Sequence, residues 1–391
     1  MKAQQHAEEM YQQLVTWRRD FHMHPELGCE EYRTAGIVAV ELQNLGYRVR
    51  TGVAETGVVG VLENGQGPVI MTRVDMDALP IQEANAVEYT SQNPGLMHAC
   101  GHDAHVAIGL GIATVMAKYR DMWQGTLKVI FQPGEEGMNG AEKMVQQGVL
   151  DDPHPDAVLA VHVWNPLPVG SVAATIGPVM AAAEAFHVTI TGKGGHAAKP
   201  EETVDPVVIA AMTVSNLQTI VSRNVSARET AVVTVGSMKA GDAFNVIPPT
   251  AELKGTVRTF DSQVRETVLK RLTEIVYGTA RMMGAQATLE WMPNTPAVVN
   301  DAQITGIVQK AVVDLFGESA LIDDERTMGS EDAAYFLREI PGSYIFIGAG
   351  PVGEPGTPHH NPHFNIEEAS LKNGVAVVVA TLRRLMPYRG A

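Results

Sequence analysis

The sequence predicts an α/β chain in two parts, a larger α/β domain interrupted by a smaller α+β one. Three observations predict it. The chain has 391 residues, more than one ordinary domain holds. Apolar strand-like runs alternate with helical periodicities, and acid, thiol and imidazole side chains follow those runs. That is where open α/β sheets bind ligands. Between residues 182 and 293 the pattern becomes strand–helix–strand–strand–helix–strand, the split order of ferredoxin-like domains. Residues 1–181 and 294–391 are therefore expected to form the larger domain and 182–293 an insertion.

Apolar residues make up 45% of the chain, enough for two cores. The 29 basic and 44 acidic residues leave a net charge of −15. With no basic run, that charge argues against nucleic acid and anionic membranes as partners. Two cysteines, Cys29 and Cys100, make no disulfide framework and suit a reducing compartment. The opening stretch MKAQQHAEEMYQQLVTWRRDF lacks the apolar segment of a signal peptide. No apolar run reaches the roughly 18 residues of a membrane span. A soluble cytoplasmic protein is expected.

Met10, Leu14, Trp17 and Phe21 recur near helical spacing and predict a first helix, stopped at Pro25. Its exit, FHMHPELG, carries His22 and His24, read as structural or supporting residues. A second helix covers 31–45. Strands follow at 47–53, 57–62 and 68–72, the last ending in RVDMDALP with Arg73 and Asp75. MHACGHDAH at 97–105 then gathers a thiol, three imidazoles and a carboxylate ahead of the apolar helix 106–116. Cys100 and His102 are expected to open that helix. A soft thiolate and an imidazole two residues apart form half of a transition-metal site. The helix dipole favours the ionised thiol. A buried cysteine among structural histidines is the competing reading.

Strand 126–131 leads into QPGEEG, whose adjacent Glu135 and Glu136 can divide two tasks, one binding metal and one moving protons. Strand 157–163 places His162 near its C-terminal end. In the insertion, strand 186–191 runs into GKGGHAAKP with His196. A helix at 205–225, strands at 231–238 and 251–260, a helix at 262–283 and a strand at 286–291 complete it. The return path has a helix at 301–316, the turn MGSED at 328–332 entering another helix, and a buried strand at 344–347. A Gly/Pro-rich loop at 351–362 carries His359 and His360, and the last helix covers 366–385.

Cys100, His102, Glu136 and His360 thus follow predicted strands, and His162 lies near the C-terminal end of one. Five donors of mixed S, N and O type suit two first-row divalent ions sharing a bridging ligand. They are too many for one tetrahedral zinc with an open position. Two ions about 3.5–4 Å apart polarise a carbonyl and activate water near neutral pH. Glu135 would then be the general base that takes the water's proton and returns it to the leaving amine.

At RRDFHMHPELG, RVDMDALP, MHACGHDAH, FQPGEEG, GKGGHAAKP, FNVIPP, GTVRTF, MGSEDAAYF and HHNPHF the chain resembles the M20 metallopeptidase family. Within it, the chain looks like the amidohydrolase branch of hippurate hydrolases, N-acyl-amino-acid amidohydrolases and indole-acetyl-amino-acid hydrolases. The resemblance covers nearly the whole sequence. It implies a zinc-peptidase-like catalytic domain, with a mixed sheet flanked by helices, and an inserted lid or dimerisation domain. It also implies two divalent ions per subunit, with Cys100 as the bridge. His102 and His162 would complete one ion's shell, Glu136 and His360 the other's, and Glu135 would be the base.

The native metal stays open among zinc, manganese, nickel and cobalt, with affinity order favouring zinc over manganese. Other branches of the family carry a His ligand where this chain has Arg73 and an Asp bridge where it has Cys100. This branch shows both changes together. Asp75 is implied as a carboxylate that orients ligands. His196 resembles the lid histidine that reaches the partner subunit's active site and stabilises an oxyanion. Asn245 and Arg258 resemble residues that hold the substrate's amide and carboxylate, a task that suits the guanidinium fork. The implied activity is hydrolysis of an N-acyl amino acid to a carboxylic acid and a free amino acid, by a homodimer. A dipeptidase or aminopeptidase, or a non-catalytic binding protein of the same fold, are the alternatives.

Overall fold

A computed structural model of the chain describes residues 2–387, which divide into two compact units. The first takes the chain up to Val179, Val298–Arg326 and the chain from Asp332 onward. The second takes Met180–Ala297 and Thr327–Glu331. The segment Thr327–Glu331, expected as part of the larger domain, is tied to the second unit by backbone pairing. The Gly329 carbonyl accepts the Ala181 N–H at 2.9 Å.

The first unit is built on an eight-stranded mixed sheet. Its order is Arg48–Val53, Gly57–Asn64, Gly125–Gln132, Val69–Asp75, Ala157–Pro168, Gly342–Gly350, Val172–Ala173 and Leu321–Ile322. The run from Gly125–Gln132 through Gly342–Gly350 is parallel and almost wholly buried. Such strands read as continuous apolar runs because both faces are covered. The parallel ladder aligns their C-terminal ends. Asp75 stands opposite Gln132, and Arg73 opposite Ala160, two residues before His162. The strand expected at 344–347 is longer because its glycines allow close approach. A Cβ at Gly348 or Gly350 would meet the carbonyl oxygen of Pro168 or Asn165 at 2.2 Å.

Helix His102–Lys118 is buried along nearly its whole length, between that sheet and the helices Tyr11–Met23 and Ala369–Leu385. Glycine makes this possible. A Cβ at Gly109 would meet Val74 and Phe131 at 2.8 and 2.9 Å, and one at Gly111 would meet Leu14 and Val375 at 2.7 Å. Each glycine costs about 1 kcal/mol of helix propensity, offset here by close packing. The helix starts at His102, preceded by Gly101 at φ +89°. Cys100 therefore lies outside the helix it was expected to open. The predicted first helix is also two, Lys2–Glu9 and Tyr11–Met23.

The second unit has a four-stranded antiparallel sheet in the order Ala231–Lys239, Thr250–Thr259, Ala182–Thr191 and Gln286–Trp291. Helices Pro206–Leu217 and Ser262–Met282 pack on it. Phe186, Val188 and Ile190 alternate into the core, where Val268, Leu272 and Val276 meet them at helical spacing. Asp205 and Asp261 cap these helices by accepting backbone N–H groups of the first turn. Beyond the sheet, Gly195–His196 and Val246–Ile247 form a short antiparallel ribbon.

Candidate metal centre

The centre lies in the first unit, where the parallel strands end and helix His102–Lys118 begins. Cys100, His102 and Glu136 place their donor atoms within 4.8 Å of one another. So do Cys100, His162 and His359. Cys100 is common to both clusters. Its Sγ lies 3.6 Å from His162 Nε2. A tetrahedral cation about 2.3 Å from sulfur and about 2.1 Å from nitrogen separates such donors by about 3.6 Å. His360 joins through its Nε2, 3.2 Å from Glu136 Oε1. All five residues singled out from the sequence are thus brought together. The donor atoms of His102 and His162 also lie within 4.8 Å of each other, so His102 could serve a cation held with Glu136 or one held with His162.

The donors are aimed by their other hydrogen bonds. His102 donates Nδ1–H to Asp77 Oδ1 at 3.2 Å, leaving a buried Nε2 with no hydrogen-bond partner. Glu136 Oε1 is buried as well, with the His360 Nε2 at 3.2 Å beside it. Buried polar atoms without hydrogen bonds are costly unless something else satisfies them. The His162 ring donates Nδ1–H to the Val163 carbonyl at 2.6 Å, which turns a bare Nε2 toward Cys100. Soft and borderline donors facing one another in this way fit divalent transition-metal ions.

Charge is balanced below the donors. Burial disfavours ionisation of Asp75, but His102, His105 and Arg73 outweigh it and hold the carboxyl well below its usual range. Burial likewise opposes charge on His102, yet Asp75 and Asp77 raise its pKa well above the ordinary value. Burial pushes the Cys100 thiol up, and Glu136 adds to this. A helix dipole therefore does not ionise this thiol by itself; an arriving cation would displace its proton. His162 is pushed well below its usual pKa by burial and by His105 and His359, so its lone pair is ready.

Several participants were not singled out from the sequence. Asp77, not Asp75, makes the hydrogen bond to His102, and its Oδ2 accepts the Glu136 backbone N–H at 2.9 Å. Asp75 sits one layer deeper, paired with Arg73 at 2.9 Å and with His105 Nδ1 at 2.5 Å. His105 is no donor for a cation, because its Nε2 accepts the Val163 N–H at 2.9 Å. Arg73 donates its Nε–H to Gln132 Oε1 at 2.7 Å and also pairs with Asp332 at 3.3 Å. The alternation of residues in RVDMD was the available signal, since Asp75 and Asp77 share one side of an extended chain.

Glu135 opens a helical turn of four residues, Glu135–Met138, after Gly134 at φ +58°. That turn is held from behind by buried Glu31, whose Oε1 accepts the Gly134 N–H at 2.9 Å. Burial raises the Glu31 carboxyl to about 7. His22 is buried between Asp103 and Glu83, as a support for the start of the central helix.

In the second unit the ribbon brings His196 and Asn245 side by side, with Ala197 N–H donating to the Asn245 carbonyl at 3.1 Å. His196 is exposed, and its Nδ1 accepts the Ala198 N–H at 3.0 Å. The neutral ring therefore carries its proton on Nε2. Arg258 is not with them. It stands near the far end of Thr250–Thr259, roughly 26 Å along that strand from Thr250 at about 3.3 Å per residue. There it donates to Ser330 Oγ at 2.8 Å.

Comparison with known proteins agrees with this architecture. The profile of Peptidase family M20/M25/M40 matches residues 71–384. An IAA-amino acid hydrolase ILR1-like 2 of Arabidopsis thaliana is 39% identical over 94% of this chain and 84% of its own. The N-acetyl-L-cysteine deacetylase of Bacillus subtilis is 38% identical over 96% of this chain and 88% of its own. A crystal structure of the Bacillus subtilis YXEP protein, described as a dinuclear metal binding peptidase of the M20 family, superposes with a TM-score of 0.85. It is 33% identical and the match covers 97% of this chain and 99% of that one. Donor geometry, fold and these likenesses converge, and the chain belongs to peptidase family M20/M25/M40, metal-dependent hydrolases of amide bonds.

Proposed function

We propose that this chain is an amidohydrolase that cleaves N-acyl amino acids into a carboxylic acid and a free amino acid. The observation that carries the reading is Cys100, one thiol shared by a cluster with His102 and Glu136 and a cluster with His162. Two divalent ions held by these residues and His360 would supply Lewis acidity for the amide carbonyl and for water. Glu135, beside Glu136 on the Gly134 turn, takes the water's proton and delivers it to the leaving nitrogen. Relatives named for IAA-amino acids and N-acetyl-L-cysteine support an N-acylated amino acid as the substrate class.

The second unit supplies recognition. Arg258 pairs with the substrate carboxylate, Asn245 holds the amide, and the His196 Nε2–H stabilises the oxyanion. The strand length between Arg258 and the His196 ribbon exceeds the span of a small acyl amino acid. One copy of the unit then cannot apply both residues to one substrate, which supports a dimer with His196 acting in trans. Zinc, manganese, nickel and cobalt all suit the donor set. Two free cysteines support a reducing, cytoplasmic setting. Among the described residues, no helix is long and apolar enough to cross a membrane.

The test is a turnover screen after metal removal and reloading with each of the four ions. N-acetyl, N-benzoyl and indole-acetyl amino acids are to be cleaved faster than free-amine dipeptides. Faster cleavage of the dipeptides would favour a peptidase within the same family. Metal binding with no hydrolysis of any substrate would favour a binding protein.

A further inference from the structure

Two of the histidines around the Cys100 sulfur, His162 and His359, present opposite chemistry to it. His162 offers a bare Nε2, because its Nδ1–H is spent on the Val163 carbonyl. His359 lies at a similar distance, with Nδ1 3.8 Å from Cys100 Sγ. Its other nitrogen is an acceptor: His359 Nε2 takes the Asn165 backbone N–H at 3.4 Å. The neutral ring must therefore carry its proton on Nδ1, toward Cys100, whose Sγ and backbone carbonyl both lie there as acceptors. A protonated nitrogen has no lone pair for a cation.

The arrangement is built rather than incidental. Asn165 is fixed by its own amide, which donates to the Thr357 and Asn365 carbonyls at 2.9 and 2.7 Å. The His359 ring is stacked on Trp164 at 4.9 Å between centroids and tilted against Phe364 at 4.9 Å. Its neighbour His360, at φ +62°, ties the loop to the Cys100 segment by donating its N–H to the Ala99 carbonyl at 2.8 Å. The ring can neither flip nor withdraw without breaking these contacts.

We propose that His359 is a positioning residue that donates its Nδ1–H to the Cys100 thiolate and is not itself a ligand. The inference rests on the reading of Cys100 as the bridging ligand. A hydrogen bond to a thiolate draws electron density off the sulfur, which weakens its donation to both ions and leaves them stronger Lewis acids. The neutral imidazole does this without adding a charge to the centre.

The test uses the cobalt(II)-loaded protein and its near-ultraviolet thiolate-to-cobalt charge-transfer band. In His359→Phe, which loses the N–H, the band should move to lower energy. In His359→Asn, whose side-chain amide places an N–H near the Nδ1 position, it should stay near the wild-type energy. An unchanged energy in His359→Phe overturns the hydrogen bond while leaving Cys100 a ligand. Absence of the band from the wild type removes Cys100 from the cobalt shell and overturns both statements. A measurement on the wild-type protein does not depend on how the variants fold. In 15N-histidine-labelled, zinc-loaded protein, His359 should show a protonated Nδ1 and a bare Nε2, and the reverse tautomer overturns the proposal.

Discussion

Asp77 Oδ1 lies 3.2 Å from His102 Nδ1, and this contact decides which nitrogen of His102 is left for a cation. The same carboxylate accepts the Glu136 N–H through Oδ2, so one side chain aims two donors. Asp77→Asn keeps only one acceptor oxygen and should lower metal affinity by about 10–100-fold. Competition with a chromophoric chelator measures it. An unchanged affinity would mean that backbone packing alone orients His102.

Glu135→Gln keeps the size of the side chain and loses the basic oxygen. It should retain both ions and lose about 10²–10⁴-fold in kcat. Elemental analysis and turnover are read on the same sample. Near-normal hydrolysis would remove Glu135 from the mechanism.

Cys100→Ser should strongly weaken binding of at least one ion, because a hydroxyl is a poor bridging anion near neutral pH. Alkylation followed by mass should reach Cys100 faster in metal-free than in metal-loaded wild-type protein. Equal rates would show that the thiol is not coordinated.

Glu31 gives a pH dependence of stability. Its folded carboxyl titrates at about 7, because burial penalises the charge, while an unfolded glutamate titrates near 4.5. Between those values the folded state holds a proton that the unfolded state releases, so stability falls as pH rises from about 4.5 through 7. The Glu31→Gln variant should lack this loss, with Thr56 turning to accept from the new amide. Metal-free protein compared at pH 5 and 8 by urea unfolding should show about 1–3 kcal/mol more decline in the wild type. Parallel declines would assign the pH dependence elsewhere.

His196→Ala and Glu135→Gln should complement each other if His196 acts on a neighbouring subunit. One site of a mixed dimer then combines an intact base with an intact His196, while the other lacks both. Co-refolding the two variants should restore up to about half of the activity per mixed dimer, since isologous dimers exchange the same element both ways. Heterodimers verified by mass yet inactive would place His196 over its own chain's centre.

The sequence by itself determined much of this protein. Buried strands were legible at 126–131 and 157–163 because continuous apolar runs mark strands covered on both faces, while their parallel pairing came from the fold. The donor types Cys100, His102, Glu136, His162 and His360 were legible because thiol, imidazole and carboxylate followed such runs. The tertiary structure decided which nitrogen each histidine offers. His105 is closed by the Val163 N–H, His162 is opened by the Val163 carbonyl, and His359 is turned by the Asn165 N–H. It also decided that Asp77 rather than Asp75 holds His102, and that Arg258 stands far along its strand from the His196 ribbon. Residue type sets what a side chain can do. Its protonated edge and its neighbours are set by backbone groups up to 194 positions away in the chain, which only the folded sheet brings within hydrogen-bond range.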